Sequence, residues 1–145
     1  MLVKDLLRQK DRRLITTTAE TPVETAMGLL LENRISCLPV LRDDRLIGIV
    51  SDKDIFRIVY ETKERYRDHT VADLMTTDLI VGVPDDTVGY IAGLMTQNRI
   101  RHIPILEGES LIGLLSVGDI VKTQMEDIRI ENRYLKDFIQ GTYPG

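Results

Sequence analysis

Two stretches of the sequence decide the fold: ENRISCLPVLRDDRLIGIVSDKDIFR at 32–57 and QNRIRHIPILEGESLIGLLSVGDIVK at 97–122. They align without a gap at an offset of 65 residues. The identical positions include Gly48, Ser51 and Asp54 of the first copy, and apolar residues recur between them. Self-similarity over a fixed period indicates a repeated structural unit. The chain therefore contains two homologous units.

The repetition extends upstream of these stretches. The segment VKDLL (3–7) echoes VADLM (71–75), and Leu14 and Ile15 echo Leu79 and Ile80. Each unit therefore covers about half of the chain. This predicts a first repeat, a second repeat and an unrepeated helical tail, at 1–66, 67–125 and 126–145.

Each unit shows the same order of secondary-structure signals. The sequence TPVE opens a predicted helix over 21–33 with a capping box, and the second copy of this helix is expected to start at Asp86. Ser51 and Ser116 are expected to cap a second helix, and 62–69 to form a polar linker. Between the helices, apolar runs around an acidic or glycine turn predict a β-hairpin with strands at 37–41 and 46–50, then 102–106 and 111–115.

The predicted fold class is α+β, with two strand-helix-strand-strand-helix units. A unit of about 60 residues buries too small a core to be stable alone. We therefore expect the two units to pack sheet against sheet about a pseudo-twofold axis.

The composition is that of an ordinary globular protein, with 43% hydrophobic and 29% charged residues among 145. No apolar run approaches the ~20 residues of a membrane span, and charges interrupt the leucines at the start of the sequence. The single cysteine, Cys37, excludes an intramolecular disulfide and fits a reducing compartment. The expectation is a cytoplasmic protein without membrane contact.

Nucleic-acid binding and catalysis find little support. The net charge is −4, and the small basic cluster of Arg8, Lys10, Arg12 and Arg13 is diluted by acidic neighbours, which predicts a solvated helix end. The sequence has no P-loop, G-x-G-x-x-G or G-x-S-x-G motif. Two histidines and one cysteine give neither a spaced metal set nor a nucleophile–base pair. We therefore expect no enzyme activity, no catalytic residues, no metal and no required cofactor.

The duplicated motif L-I-G-h-h-S-x-x-D-I, with V-x-D-h-[ML] upstream of each copy, resembles the CBS domain, named for cystathionine β-synthase. The resemblance covers about 1–125 and matches the tandem pair called a Bateman module, here as a stand-alone module. It implies a regulatory role in energy or metabolite sensing and signal transduction, with AMP, ADP, ATP, NAD or S-adenosylmethionine bound between the repeats. It also implies a homodimer and a regulated partner protein of unknown identity.

The chemistry of the repeated residues agrees with this resemblance. A carboxylate at the start of a helix, such as Asp54 or Asp119, can accept hydrogen bonds from both ribose hydroxyls. The same helix N-terminus attracts phosphate oxygens, and Ser51 and Ser116 add hydroxyl groups. Ser-x-x-Asp is also an ordinary helix-capping arrangement, and both roles can coexist.

The resemblance implies that the aspartate of one repeat works with the adenine-contacting segment of the other. One cleft would then join Ser51 and Asp54 to the segment around Arg101, and the other would join Ser116 and Asp119 to the segment around Ser36. The predicted ligand-binding residues are Ile15, Ile35, Ser36, Cys37, Ile49, Ser51, Asp54, Ile80, Ile100, Arg101, His102, Leu114, Ser116 and Asp119.

The two copies differ where phosphate contact is expected. Arg101 and His102 are potential cations, whereas the first copy has Ser36 and Cys37 there. This predicts that the Asp54 cleft favours phosphorylated ligands and that the Asp119 cleft tolerates uncharged adenosine groups. A solvated strand end remains the alternative for the two basic residues. Cys37 is expected to be a small core residue rather than a reactive thiol.

Two further expectations concern the whole chain. The alternative to a nucleotide sensor is a structural or partner-docking module whose nucleotide cleft is vestigial. In the tail, apolar residues at helical spacing before a stop at Gly141 predict an oligomer contact, and they are Ile128, Leu135, Phe138 and Ile139.

Overall fold

The computed structural model describes residues 1–10 and 13–140, without the side chain of Phe138. The fold is α+β, as predicted. In chain order the elements are α1 Val3–Gln9, α2 Val23–Asn33, β1 Cys37–Arg42, β2 Arg45–Ser51, α3 Asp52–Thr62, two 3₁₀ helices at Lys63–Asp68 and Val71–Asp73, α4 Val88–Asn98, β3 His102–Glu107, β4 Ser110–Ser116 and α5 Val117–Ile139.

The two hairpins are built in the same way. β1 pairs antiparallel with β2, so that Cys37 lies opposite Ser51, and β3 pairs with β4, so that His102 lies opposite Ser116. Both registers shift at equivalent points, after Val40 in the first copy. This repetition confirms the predicted hairpins.

The predicted first strand of each repeat is reduced to a single parallel bridge. Thr17 pairs with Val40, and Gly82 pairs with Ile105. In the first repeat the pairing does not extend beyond Thr17, because the Thr18 amide donates to the Thr21 hydroxyl and the Ala19 carbonyl accepts from the Ala72 amide.

The starts of α2 and α4 differ from the prediction by one residue. Pro22 is the N-cap of α2, because the Thr21 hydroxyl bonds to the Thr18 hydroxyl at 2.8 Å instead of capping the helix. In α4 the cap is Thr87, whose hydroxyl accepts from the Tyr90 amide at 3.0 Å. Asp86, the predicted start, accepts from the Val83 amide instead.

The predicted polar linker is a packed element. Its residues form the 3₁₀ helix Lys63–Asp68, which lies against α2 and α3, with Tyr66 partly buried on the first core. The carbonyl of His69 then accepts from the Val23 amide at the start of α2. Tyr66 thus packs on the core, while the charged residues at 63–65 and 67–68 remain exposed.

The two repeats exchange their leading segments. Val3 and Leu6 pack into the core of the second repeat, whereas Val71 packs into the core of the first. Matching backbone bonds of 2.8 Å fix both segments, from Val3 N to the Asp86 carbonyl and from Val71 N to the Thr21 carbonyl. Each hydrophobic core therefore includes a segment that belongs, by sequence, to the other repeat. The predicted division of the chain at 66/67 thus does not separate the two cores.

Helix α5 runs unbroken over 23 residues, so the predicted boundary at 125/126 falls inside one helix. The predicted tail is helical as far as Ile139, while Gly141 lies outside the described residues. In 1–10 and 13–140, no helix has the length and apolar character needed to cross a membrane.

Candidate functional site

The predicted Ser-x-x-Asp motifs form reciprocal caps on α3 and α5. The Ser51 hydroxyl accepts from the Asp54 amide at 3.3 Å, while Asp54 Oδ2 accepts from the Ser51 amide at 2.9 Å. The bonds between Ser116 and Asp119 are equivalent, at 3.2 and 2.8 Å. The capping role is therefore real, and it fixes both carboxylates at helix N-termini, where partial positive charge favours anions.

The Asp119 carboxylate lies in a cleft of about 800 Å³ between α1 and α5. A volume of this size suits a small-molecule site. The cleft is lined by Leu6, Gln9, Lys10, Ser116, Gly118, Asp119, Lys122, Thr123 and Glu126.

Lys10 is the central cation of this cleft. Its Nζ donates to Asp119 Oδ2 at 2.9 Å and to the Leu114 carbonyl at 2.6 Å, and both side chains of the ion pair are more than three-quarters buried. The expectation that Lys10 belongs to a solvated helix end is wrong, because the ammonium is drawn to a carboxylate and a carbonyl of the second repeat.

These contacts set the protonation state of Asp119. Burial opposes ionisation, but the hydrogen bonds from Lys10 and from the Ser116 amide outweigh it and hold the pKa of the carboxyl below its usual value of 3.8. At neutral pH the group is an anion that can accept hydrogen bonds from hydroxyl groups.

A second, smaller cavity of about 110 Å³ adjoins the first and shares Lys10 with it. Apolar residues of the first repeat face the strand of the second repeat that leads to Asp119. Four of the predicted ligand residues line it together: Ile15, Ile35, Cys37 and Leu114. The structure therefore brings the predicted apolar segment of one repeat next to the predicted aspartate of the other.

The Asp54 side has a different arrangement. Arg101 reaches the start of α3, where its Nη2 donates to Asp52 Oδ1 at 3.0 Å. Ile49 is held by two backbone bonds to Thr76, at 3.0 and 2.8 Å. Ile80 and Ile100 both pack against the second core. Of the residues predicted for this cleft on the second repeat, Arg101 reaches the N-terminus of α3, where it forms an ion pair with Asp52.

His102 occupies the centre, between the two repeats. Its Nε2 lies 3.0 Å from the Ser36 hydroxyl. Burial lowers the pKa of His102 below 6.5, and the positive charge of Arg101 lowers it further. At neutral pH His102 is uncharged, so Arg101 alone of the two basic residues is a cation there.

Cys37 is a core residue, with 2% of its surface exposed. Burial, followed by the negative charges of Asp54 and Asp52, raises the pKa of the thiol to about 12. The nucleophilic thiolate is therefore absent at neutral pH. The expectation of a small core residue is confirmed. Cys37 also lines the smaller cavity, so it would contact a ligand there by packing and not as a nucleophile.

Sequence reasoning missed Lys10 and Asp52 as neighbours of the site. For Lys10 a signal existed: VKDLL and VADLM are offset by 68 residues, whereas the following Leu14 and Leu79 are offset by 65. The first repeat therefore carries three extra residues in its basic segment. Asp11 and Arg12 of that segment lie outside the described residues.

Comparison with known proteins places this architecture in a family. A family model described as CBS domain matches residues 3–61 and 71–126. The Arabidopsis thaliana protein "CBS domain-containing protein CBSX3, mitochondrial" is 29% identical over 150 residues, which cover 97% of this chain and 73% of that protein.

Solved structures show the same fold. The CBS-domain containing protein ATU1752 from Agrobacterium tumefaciens matches with a TM-score of 0.81 and 29% identity, covering 86% of this chain and 99% of that one. CBSX2, solved in complex with AMP, matches with a TM-score of 0.73 and 28% identity, covering 86% and 96%. Two matched copies that together span most of this sequence, on the same fold, show that the chain belongs to the CBS domain family.

Proposed function

We propose that the chain is a regulatory module that binds an adenosine-type ligand between its repeats and thereby modulates a partner protein. The observation that carries the proposal is the composite cleft at Asp119. There an anionic carboxylate at a helix N-terminus adjoins a cavity that is lined by apolar residues of both repeats and by the cationic Lys10 and Arg13. The AMP complex of the similar CBSX2 supports an adenosine ligand.

Each part of such a ligand has a chemical counterpart in this cleft. The ribose hydroxyls would donate to Asp119, and the adenine ring would lie in the apolar cavity beside Ile15 and Leu114. Phosphate oxygens would meet the Lys10 ammonium and the partial positive charge at the N-terminus of α5. A charge-assisted hydrogen bond of this kind contributes about 1.5–3 kcal/mol.

The Asp54 side is the second candidate cleft. There Arg101 would exchange its contact with Asp52 for a phosphate, since both lie at the N-terminus of α3. The Arg101–Asp52 pair is more than half exposed and is therefore weakly held. AMP, ADP, ATP, NAD and S-adenosylmethionine share the adenosine that both clefts are proposed to recognise.

Thermal unfolding with added ligand tests the proposal. At a free concentration of 100 times Kd, ligand binding stabilises the folded state by about 2.7 kcal/mol per site, which raises Tm by about 5–10 °C for a chain of this size. Asp119→Asn and Asp54→Asn should each reduce the shift, whereas Asp127→Asn, further along α5, should not. If millimolar AMP, ADP, ATP, NAD and S-adenosylmethionine all leave Tm unchanged, the structural or partner-docking alternative is the better reading.

Both candidate clefts contain a cation, because Lys10 lies beside Asp119 and Arg101 lies at the start of α3. The proposal therefore gives up the expectation that only the Asp54 cleft favours phosphorylated ligands. Lys10→Met and Arg101→Met are each expected to weaken AMP binding about tenfold to a hundredfold at one site, while adenosine affinity changes little. Titration calorimetry with AMP and adenosine measures both quantities. Equal losses for AMP and adenosine would show that the two side chains stabilise the folded cleft and do not contact phosphate.

Self-association is also part of the proposal. Phe56 and Tyr60 on α3 are 76% and 78% exposed, and the equivalent Val121 and Met125 on α5 are 44% and 52% exposed. A set of large apolar side chains in water marks an interaction surface. We therefore infer a homodimer. A cytoplasmic location fits the lone, buried, free thiol of Cys37, and the proposal assigns no chemical reaction to the chain.

A further inference from the structure

The exposed face of α5 carries a heptad pattern. From residue 121 to residue 139, the side chains on this face follow one another at spacings of four, three, four, three and four residues. The pattern consists of Val121, Met125, Ile128, Asn132, Leu135 and Ile139. Its apolar members are between 44% and 82% exposed. Alternating spacings of three and four are the seam of a coiled coil.

This seam, defined by those six residues, is separate from the surfaces that α5 already uses. Ile120 and Thr123 face the core, with 4% and 6% exposure. At 3.6 residues per turn, the centre of the seam lies about a third of a turn from these core-facing residues, and about a third of a turn, on the other side, from the cleft-lining Lys122 and Glu126. A second helix could therefore cover the seam without displacing the core or closing the cleft.

The polar residues of the pattern point to a second copy of the same helix. Asn132 occupies an a position, where a single asparagine fixes register and favours a defined oligomer. Glu131 falls at g, and Lys136 falls at the next e. In a parallel pair these two would meet across the interface with opposite charges. An antiparallel pair would place Glu131 against Glu131 and Arg129 against Arg129, which is unfavourable.

We propose that residues 121–139 form a parallel, in-register, two-stranded coiled coil with the same helix of a second chain. The inference rests on the proposed self-association and specifies its geometry; it does not depend on nucleotide binding. In α3 the equivalent face carries Phe56 and Tyr60, but this helix ends at Thr62 and is too short to continue the heptad pattern. The coiled coil is short, but its first turns are already held in the folded repeat, so helix nucleation is not required.

The first test compares two charge insertions in the full chain by sedimentation equilibrium. Ile128→Glu places a carboxylate in the seam and is expected to weaken dimerisation about tenfold or more. Ile130→Glu is the matched control, since Ile130 is 68% exposed but lies at position f, outside the seam. It should leave the dimer unchanged. Far-UV circular dichroism checks that both variants fold.

The second test fixes direction and register. Asn132→Cys places a thiol at an a position, where two parallel in-register helices bring it against its own copy. Mild oxidation should then give a covalent dimer at protein concentrations where Ile130→Cys and the parent chain, whose Cys37 is buried, give none.

The outcomes separate the coiled coil from the dimer itself. A monomeric parent chain overturns both ideas. A dimer that survives Ile128→Glu, or that fails to cross-link through position 132, overturns the coiled coil while leaving self-association intact. Measurements of nucleotide binding test the proposed clefts, and they test neither the dimer nor the coiled coil.

Discussion

The Asp119 carboxylate is balanced by a lysine 109 residues away in the sequence. Lys10 follows the end of α1 and meets Asp119 at the start of α5, so that one ion pair joins the first helix to the last. The same carboxylate is the proposed ribose acceptor. A bound ligand would therefore act on a pair that also contributes to stability.

Two groups of the site should make stability depend on pH in separate ranges. His102 has a native pKa below 6.5, so the unfolded chain binds its proton first as the pH falls, and stability should decrease from about pH 6.5 downward. Asp119 has a native pKa below 3.8. Its stabilising contribution is complete above that value and is lost as the pH falls through the lower native pKa.

Urea unfolding between pH 8 and pH 3 measures both effects. His102→Gln should flatten the curve just below pH 6.5, and Lys10→Met should flatten it below pH 4 and cost about 1 kcal/mol at neutral pH. Lys122→Met, which removes a positive charge from the same cleft, serves as the control. A His102→Gln curve that parallels the parent between pH 6.5 and pH 5 would contradict the assignment.

At the scale of elements, the glycine of each L-I-G motif allows close contact between a hairpin and an exchanged segment. A Cβ at Gly48 would lie 3.0 Å from both Met75 Sδ and the Thr76 carbonyl oxygen. At Gly113 it would lie 2.6 Å from Leu7 Cδ2. The motif thus has a packing reason that is independent of any ligand.

The change in stability caused by replacing each of three glycines with alanine should depend on which atoms the new methyl group contacts. Gly48→Ala is expected to cost about 1–3 kcal/mol, because the Thr76 carbonyl is fixed by its bond from the Ile49 amide. Gly113→Ala should cost less, since the end of the Leu7 side chain can turn away. Gly93→Ala in α4 meets nothing within 4 Å and should stabilise by about 0.5–1 kcal/mol. Chemical denaturation gives the order, and a reversed order for Gly48 and Gly113 would contradict it.

At the scale of the whole molecule, the exchanged segments make each core depend on both repeats. Val3 and Leu6 complete the second core, and Val71 completes the first. Neither half of the sequence contains all the apolar residues of one core. We therefore expect the two repeats to unfold in one cooperative transition.

Truncation of Leu6 tests this dependence. Leu6→Ala is expected to cost about 2–5 kcal/mol, because the side chain is 6% exposed and leaves a cavity in the second core. Hydrogen exchange measured by mass spectrometry should show faster exchange in β3 and β4 and, because the two repeats are expected to unfold together, in β1 and β2 as well. Leu31→Ala, at 78% exposure in α2, is the control and should change little. Faster exchange confined to β1 and β2 would contradict the exchanged packing.

Local sequence patterns are sufficient to predict the duplication, the two hairpins and the capped starts of α3 and α5. These features depend on local patterns: alternating apolar residues specify a strand, and Ser51 and Asp54 cap a helix through contacts only three residues apart. The repeated motif is also sufficient to indicate the CBS family. The candidate aspartates could be named for the same reason, because they belong to the motif.

The contacts between distant segments could not be predicted from these local patterns. The exchange of the leading segments, the reduction of the first strand to one bridge at Thr17, and the pair between Lys10 and Asp119 all join residues that are far apart in the chain. Their partners are selected by how the two repeats dock and by the burial that docking produces. The uncharged state of His102 has the same origin, since it follows from burial and from the nearby Arg101 rather than from residue type.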